Sequence, residues 1–247
     1  MNGDSTMERQ KMEQHIEHYR VEVEQAIHEP IIIRDVGRMT IDDAKAFFTL
    51  LPLLNGERWT DSMNRAAIAV GAVHAAFAAH DVIDASNATS TRQQLTVLSG
   101  DHFSGIHYRL LASIPAYGFI RSLSGMIGQI NEMKTTCHHQ PPSGSSKMME
   151  AVRVIEAGCI ADFLHTFGFS RYVPLAESVL SLLRLDSMLT EKTGNSVYHS
   201  WNPIDVDRSI AAFQLELQEA LDTADFLAPF LQQEIIKMAT SLLGKPI

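Results

Sequence analysis

The sequence predicts an all-α fold, a single-domain helical bundle. Three observations predict it. Apolar residues recur at spacings of three and four in almost every segment, the period of one helix face. Capping residues and prolines punctuate those segments at helical lengths. Candidate strands are almost absent; Ile31-Ile32-Ile33 is the best, and it has no plausible partner. The chain has 247 residues, 45% hydrophobic and 20% charged. Those values describe a globular protein able to bury a sizeable core without staples. No fixed-period repeat or low-complexity tract divides it, so residues 1–247 are read as one domain.

The elements follow in order. Met12, Ile16, Tyr19, Val23 and Ile27 form one apolar stripe on a charged first helix, which Glu29-Pro30 ends. Thr40-Ile41-Asp42-Asp43 resembles a capping box and predicts a helix through about Leu51. Thr60-Asp61 begins a long helix ending near Asp84, rich in alanine from Ala66 to Ala79. Asn87-Ala88-Thr89-Ser90 reads as a loop. Thr91 to Ile114 is the next helix, stopped by Pro115, and another runs from about Ala116 to Thr136. Cys137-His138-His139-Gln140-Pro141-Pro142-Ser143-Gly144 is the clearest break, a Pro-rich loop near 137–146 too short to prove two domains. Helices then run from about Ser146 to Phe169 and from Pro174 to Thr193. Asn202-Pro203-Ile204-Asp205 caps the start of another, and the end of the chain is helical with an interruption at Pro229.

Composition excludes several functions. Net charge is −9, and an acidic surface repels phosphate backbones, which argues against nucleic acid as a partner. The two cysteines, Cys137 and Cys159, make neither a disulfide scaffold nor a metal-type spacing, and suit reduced thiols in a cytosolic protein. The N-terminus lacks the basic start and apolar block of a signal peptide. The longest uncharged apolar run, Ala66 to Ala79, falls short of the ~20 residues of a spanning helix. The expectation is a cytoplasmic protein with no transmembrane segment. The eleven histidines fall at poor chelating steps, and no zinc motif is present. Trp59 and Trp201, near helix starts, read as packing residues.

Two stretches can carry chemistry. His80, Asp81 and Asp84 lie at the end of the Ala-rich helix, where positions i, i+3 and i+4 share a face. Carboxylates so placed can hold magnesium against substrate phosphates; a solvated polar helix end is the plainer reading. The second stretch is Thr96-Val97-Leu98-Ser99-Gly100-Asp101-His102-Phe103.

Together these stretches resemble the all-trans polyprenyl diphosphate synthases, all-α proteins of the isoprenoid synthase fold. There an Asp-Asp-x-x-Asp cluster ends a helix and Ala-x-Leu-x-Gly-Asp-Tyr follows on the next. His80 stands in place of the first Asp; Asp81 and Asp84 match the second and third. The departures matter for function. The intervening loop lacks the family's arginine pair and offers only Arg92. The second Asp-rich cluster is missing, with Asp186-Ser187-Met188-Leu189 the nearest candidate. Too few oxygen ligands remain to hold the metal cluster that ionises an allylic diphosphate, so catalysis by this chain alone is not expected.

The pattern is similar to one group in particular: component 1, the small subunit of two-component heptaprenyl diphosphate synthases. Gly100-Asp101-His102-Phe103-Ser104-Gly105 carries that likeness, strongest over residues 65 to 115. The resemblance implies a regulatory subunit of a heterodimer, with no metal and no cofactor bound by this chain. The partner implied is the catalytic component 2, which binds magnesium, farnesyl diphosphate and isopentenyl diphosphate. The product becomes the menaquinone side chain. Residues upstream of the first Asp-rich motif line the product tunnel in the family, which makes Ala69, Ala72, Ala75, Ala76 and Phe77 tunnel candidates; the alanines equally allow tight helix packing. Asp101, Ser104, Tyr108 and Leu111 form a stripe of mixed character on a helix that lies near the family's subunit contact. That stripe, with Gly100 and Arg109, is either an interface that favours heteromeric pairing or an internal hydrogen-bond network. Two further readings are an HD-type metal phosphohydrolase, for which His80-Asp81 would be the His-Asp pair, and a helical adaptor unrelated to prenyl synthesis.

Overall fold

The structure, a computed structural model, describes residues 2–83, 90–190 and 201–243. Asp84, Asn87-Ala88-Thr89 of the expected loop and the stretch through Thr193 lie outside those residues. Helix α1 spans Asn2–Ala26, α2 Pro30–Asp35, α3 Asp43–Leu54, α4 Asp61–Asp81, α5 Thr91–Ala112 and α6 Tyr117–His139. After these come α7 at Ser145–Thr166, α8 at Val173–Thr190, α9 at Pro203–Asp222 and α10 at Pro229–Leu243. No strand occurs among the described residues.

The caps explain where the helices start. Asp42, not Thr40, caps α3, its carboxylate accepting from the Lys45 amide at 3.0 Å. Thr60 caps α4 through the Met63 amide and Ser90 caps α5 through the Gln93 amide. Asn202 caps α9, with Pro203 in the first turn, where its missing N–H costs nothing. Each cap satisfies an amide that the helix leaves without a partner.

Three elements depart from the sequence reading. Ile31-Ile32-Ile33, the best strand candidate, lies in α2. Glu29 caps that helix, Pro30 presets its first φ, and Ile32 is the isoleucine it buries. Helix α6 continues through Cys137, His138 and His139 into the predicted break. Cys137 is buried on its inner side, and the stop comes at Gln140, extended (φ −143°, ψ 101°) ahead of Pro141. Helix α7 ends at Thr166, not Phe169. Gly168 turns the chain at φ +83°, and the Phe169 amide returns to the Leu164 carbonyl at 2.7 Å.

Consecutive helices from α4 to α9 pack side by side, and α4 and α7 are the inner pair, each also touching α3. The predicted α1 stripe faces the core: Met12, Tyr19, Val23 and Ile27 are buried and Ile16 is half-buried against them. The Tyr19 hydroxyl donates to the Ala67 carbonyl at 2.9 Å, which ties α1 to the Ala-rich helix. A Cβ at Gly71 would lie 2.7 Å from Val23 and 2.9 Å from Ile41, so glycine sets the closest approach there. Trp59 stacks near Phe169 and Phe163, and Trp201 is buried. Cys137 and Cys159 are free thiols. Among the described residues no helix is long and apolar enough to cross a membrane.

Candidate functional site

Helices α3, α4, α6, α7 and α8 enclose a cavity of about 440 Å³. On α4 its wall is His74, Phe77, Ala78 and Asp81. These positions are three or four apart, one face of the helix. Asp81 sits at the last turn, so its carboxylate closes the cavity at the helix mouth.

That carboxylate is already neutralised. Lys134, projecting from α6, places its Nζ 2.6 and 2.7 Å from the two Asp81 oxygens. The ammonium also lies 5.1 Å from the centre of the Phe77 ring, a cation–π distance. Deeper in, Glu156 of α7 is shared by Lys45 at 2.9 Å and Arg184 at 3.3 Å. Burial pushes the Lys45 ammonium down, but adjacent Glu156 outweighs it and holds the group above its ordinary value. The cavity wall thus carries Lys45, Lys134 and Arg184 against Asp42, Asp81 and Glu156. Side-chain cations supply the balance.

His74 lies between these pairs. Burial, with Lys45 and Lys134 nearby, pushes its imidazole down to about 3, against a smaller opposing pull from Glu156. The ring is neutral at neutral pH, and its buried Nδ1 has no hydrogen-bond partner.

His80 and Asp81 do not converge. The His80 ring packs over Gly100 of α5, where a Cβ would come within 2.5 Å of it. The ring is otherwise exposed. Helix α4 ends at Asp81, three residues before Asp84, which lies outside the described residues. No group of three or more His, Cys, Asp or Glu among the described residues is placed to hold a metal ion. Among the described residues the donors at this mouth are Asp81, held by Lys134, and His80, which faces α5, whereas a magnesium cluster takes oxygen ligands in near-octahedral array. An HD-type His-Asp metal pair fits no better, since Asp81 is held by a lysine and His80 faces another helix.

The tunnel candidates separate by position. Ala69, Ala72, Ala75 and Ala76 are buried in helix packing and do not line this cavity; Phe77 does. Sequence reading missed His74 and Ala78 as wall residues, although stepping back from Asp81 by seven and three positions finds them. It also missed Lys134, Lys45 and Glu156, which no local pattern connects.

The second motif reads as an amphipathic helix. Thr96, Ser99, Gly100 and Phe103 are buried; Val97, Leu98, Asp101 and His102 are exposed. The expected stripe of Asp101, Ser104, Tyr108 and Leu111 is not one surface. Leu111 is fully buried and Ser104 half-buried, whereas Asp101, Tyr108 and Arg109 are exposed. The Tyr108 hydroxyl accepts from Ser124 of α6 at 3.2 Å.

Known proteins match on both sequence and fold. The family described as heptaprenyl diphosphate synthase (HEPPP synthase) subunit 1 matches residues 30–205. Heptaprenyl diphosphate synthase component 1 of Geobacillus stearothermophilus is 28% identical over 121 residues, 49% of this chain and 55% of that protein. The chain thus spans about half the length of the curated relative it matches. Decaprenyl diphosphate synthase from Rhodobacter capsulatus superposes with a TM-score of 0.66 at 10% identity, covering 98% of this chain and 99% of that one. Heptaprenyl diphosphate synthase from Staphylococcus aureus gives 0.60 at 9% identity, covering 96% and 92%. Geranylgeranyl pyrophosphate synthase from Lactobacillus brevis gives 0.66 at 11% identity, covering 98% and 99%. At those identities the structural likeness establishes the fold, that of the all-α polyprenyl diphosphate synthases. With more than half its length matched by one family, the chain belongs to the heptaprenyl diphosphate synthase subunit 1 family.

Proposed function

We propose that this chain is the accessory, non-catalytic subunit of a two-component polyprenyl diphosphate synthase. It acts with a catalytic component that binds magnesium, farnesyl diphosphate and isopentenyl diphosphate. The heptaprenyl product serves as the menaquinone side chain, and the complex works in the cytoplasm. The observation that carries this reading is Lys134 bonded to both oxygens of Asp81. A carboxylate held that way offers its lone pairs to an ammonium; deeper in, Glu156 is likewise held by Lys45 and Arg184, and Asp42 caps α3 through the Lys45 amide. A synthase must present uncompensated carboxylates so that metal ions can bind and stabilise the departing diphosphate. The exposed side of α5, with Asp101, Tyr108 and Arg109, is the candidate contact with the catalytic component. Gly100 and Ser104 face inward and shape that helix from behind.

An influence on product length fits Phe77. Its ring stands on the cavity wall, and each CH₂ of a growing chain gains roughly 0.8 kcal/mol on burial, so a blocked tunnel limits length. The deciding experiment mixes the purified chain with a full-length catalytic synthase, both allylic and homoallylic diphosphates and magnesium. Elongation is expected in the mixture and not from this chain alone. Elongation by this chain alone overturns the reading. In the mixture, Phe77→Ala lengthens the products if the growing chain reaches this cavity, and leaves them unchanged if it grows wholly inside the partner.

A further inference from the structure

A second cavity, of about 250 Å³, opens between α1, α2 and α5. It shares no lining residue with the five-helix cavity. The chain makes this space by turning sharply. Helix α2 packs on α5, and Gly37, at φ +111°, brings Met39 back to the cavity wall. The Gly37 amide bonds to the Ile32 carbonyl at 3.1 Å, a helix ending that left-handed backbone permits. The walls are apolar: Val21, Ile27, Ile32, Ile33, Met39 and Phe103. A well-packed interior leaves few gaps larger than a water molecule, and atoms that face a gap forgo dispersion contacts. By proportion with the ~150 Å³ apolar cavity that takes benzene, this one holds roughly ten carbons.

Four polar side chains complete the lining: Glu24, Gln25, His28 and Arg38. Gln25, His28 and Arg38 are exposed and Glu24 is half-buried. None of the four side chains is hydrogen-bonded or ion-paired to another described residue. A guanidinium forks onto a carboxylate with two parallel hydrogen bonds, and Gln25 and His28 carry further N–H donors. Glu24 limits the charge that can enter, because it repels a head with two or three negative charges more than a head with one. We propose that this cavity binds a single-chain amphiphile with a carboxylate head, of the medium-chain fatty acid class. Its tail lies against Ile27, Ile32 and Phe103, and its head meets Arg38. The site differs from the five-helix cavity in place and in chemistry, since a diphosphate ester carries the wrong head for it.

The inference does not rest on the proposed accessory role. The test is isothermal titration calorimetry of the full chain with sodium decanoate below its micelle concentration. Saturable binding is expected, with a negative heat-capacity change from burial of the tail. Arg38 is exposed and has no partner within the described chain, so Arg38→Met keeps the helical circular dichroism and weakens binding about tenfold or more. Ile33→Trp fills the cavity and weakens binding as far. Decyltrimethylammonium has the same tail with the opposite head charge, and decyl phosphate has a more highly charged head. Both bind about tenfold or more weakly than decanoate, and Glu24→Gln narrows the gap for decyl phosphate. No saturable decanoate binding overturns the proposal. So does undiminished binding to Arg38→Met or to Ile33→Trp, which puts the ligand elsewhere. Equal affinity for decyltrimethylammonium overturns it as well, by showing an apolar crevice without head recognition, and equal affinity for decyl phosphate overturns the carboxylate assignment.

Discussion

Asp81 illustrates how one neighbour changes what a carboxylate can do. Alone at a helix mouth it is a metal ligand; with Lys134 against both oxygens it is half of an ion pair. The lysine side chain is 15% exposed and the aspartate 51%, so solvent screens much of the attraction. A double-mutant cycle of Lys134→Met and Asp81→Asn should give a coupling of about 0.5–1 kcal/mol, falling with added salt. His74 makes a second prediction. Its folded value, about 3, lies below the ordinary 6.5. The unfolded chain therefore takes up the proton more readily. Stability from the neutral ring is fully present above pH 6.5 and is lost progressively as pH falls from 6.5 towards 3. Denaturant titrations at pH 7 and pH 5 should show a drop in stability that is smaller in His74→Gln. Burial also holds His107 low, so part of the slope will survive that substitution.

At the level of elements, α4 and α5 each show a different use of glycine. Gly71 faces buried Val23 and Ile41, so a methyl there has nowhere to go. Gly71→Ala should destabilise by about 1–3 kcal/mol, the range for overpacked cores. Gly100 also has a close neighbour, but it is the far end of the exposed His80 ring. That ring can swing away, and alanine favours the helix, so Gly100→Ala should change stability by less than about 1 kcal/mol. Thermal melts of the two variants separate the cases; equal losses would mean the His80 ring is more firmly held than its exposure implies. Helix α6 shows why the sequence break was placed early. A loop-like run of Cys137, His138 and His139 carries no helix breaker until Pro141, and the buried face of Cys137 keeps the turn docked.

Across the whole molecule, Asn55 joins parts far apart in sequence. Its Nδ2 donates to the Tyr172 hydroxyl at 2.7 Å and to the Phe226 carbonyl at 3.0 Å, and its Oδ1 accepts from the Ala228 amide at 2.8 Å. One side chain thus ties the end of α3 to the turn before α8 and to the α9–α10 connection. Glu57 and Arg171 continue the same cluster through Tyr172. Asn55→Ala leaves three partners short of a bond and should cost about 2–3 kcal/mol in denaturant unfolding. A loss below about 0.5 kcal/mol would mean that water replaces those bonds freely. The cavity is likewise a property of the whole, since five helices meet to form it.

The helical class, most helix boundaries, the α1 stripe and the family-bearing motif of α5 were legible in the sequence, because each is set by local spacing, capping or composition. The inner faces were only partly legible. An apolar period marks which side of α4 is buried, yet not which buried positions border open space. The pairing of Asp81 with Lys134, of Glu156 with Lys45 and Arg184, and of His80 with Gly100 was decided by the tertiary structure alone. Those partners come from different helices, and only the packing of α3 through α8 brings them within reach of one another.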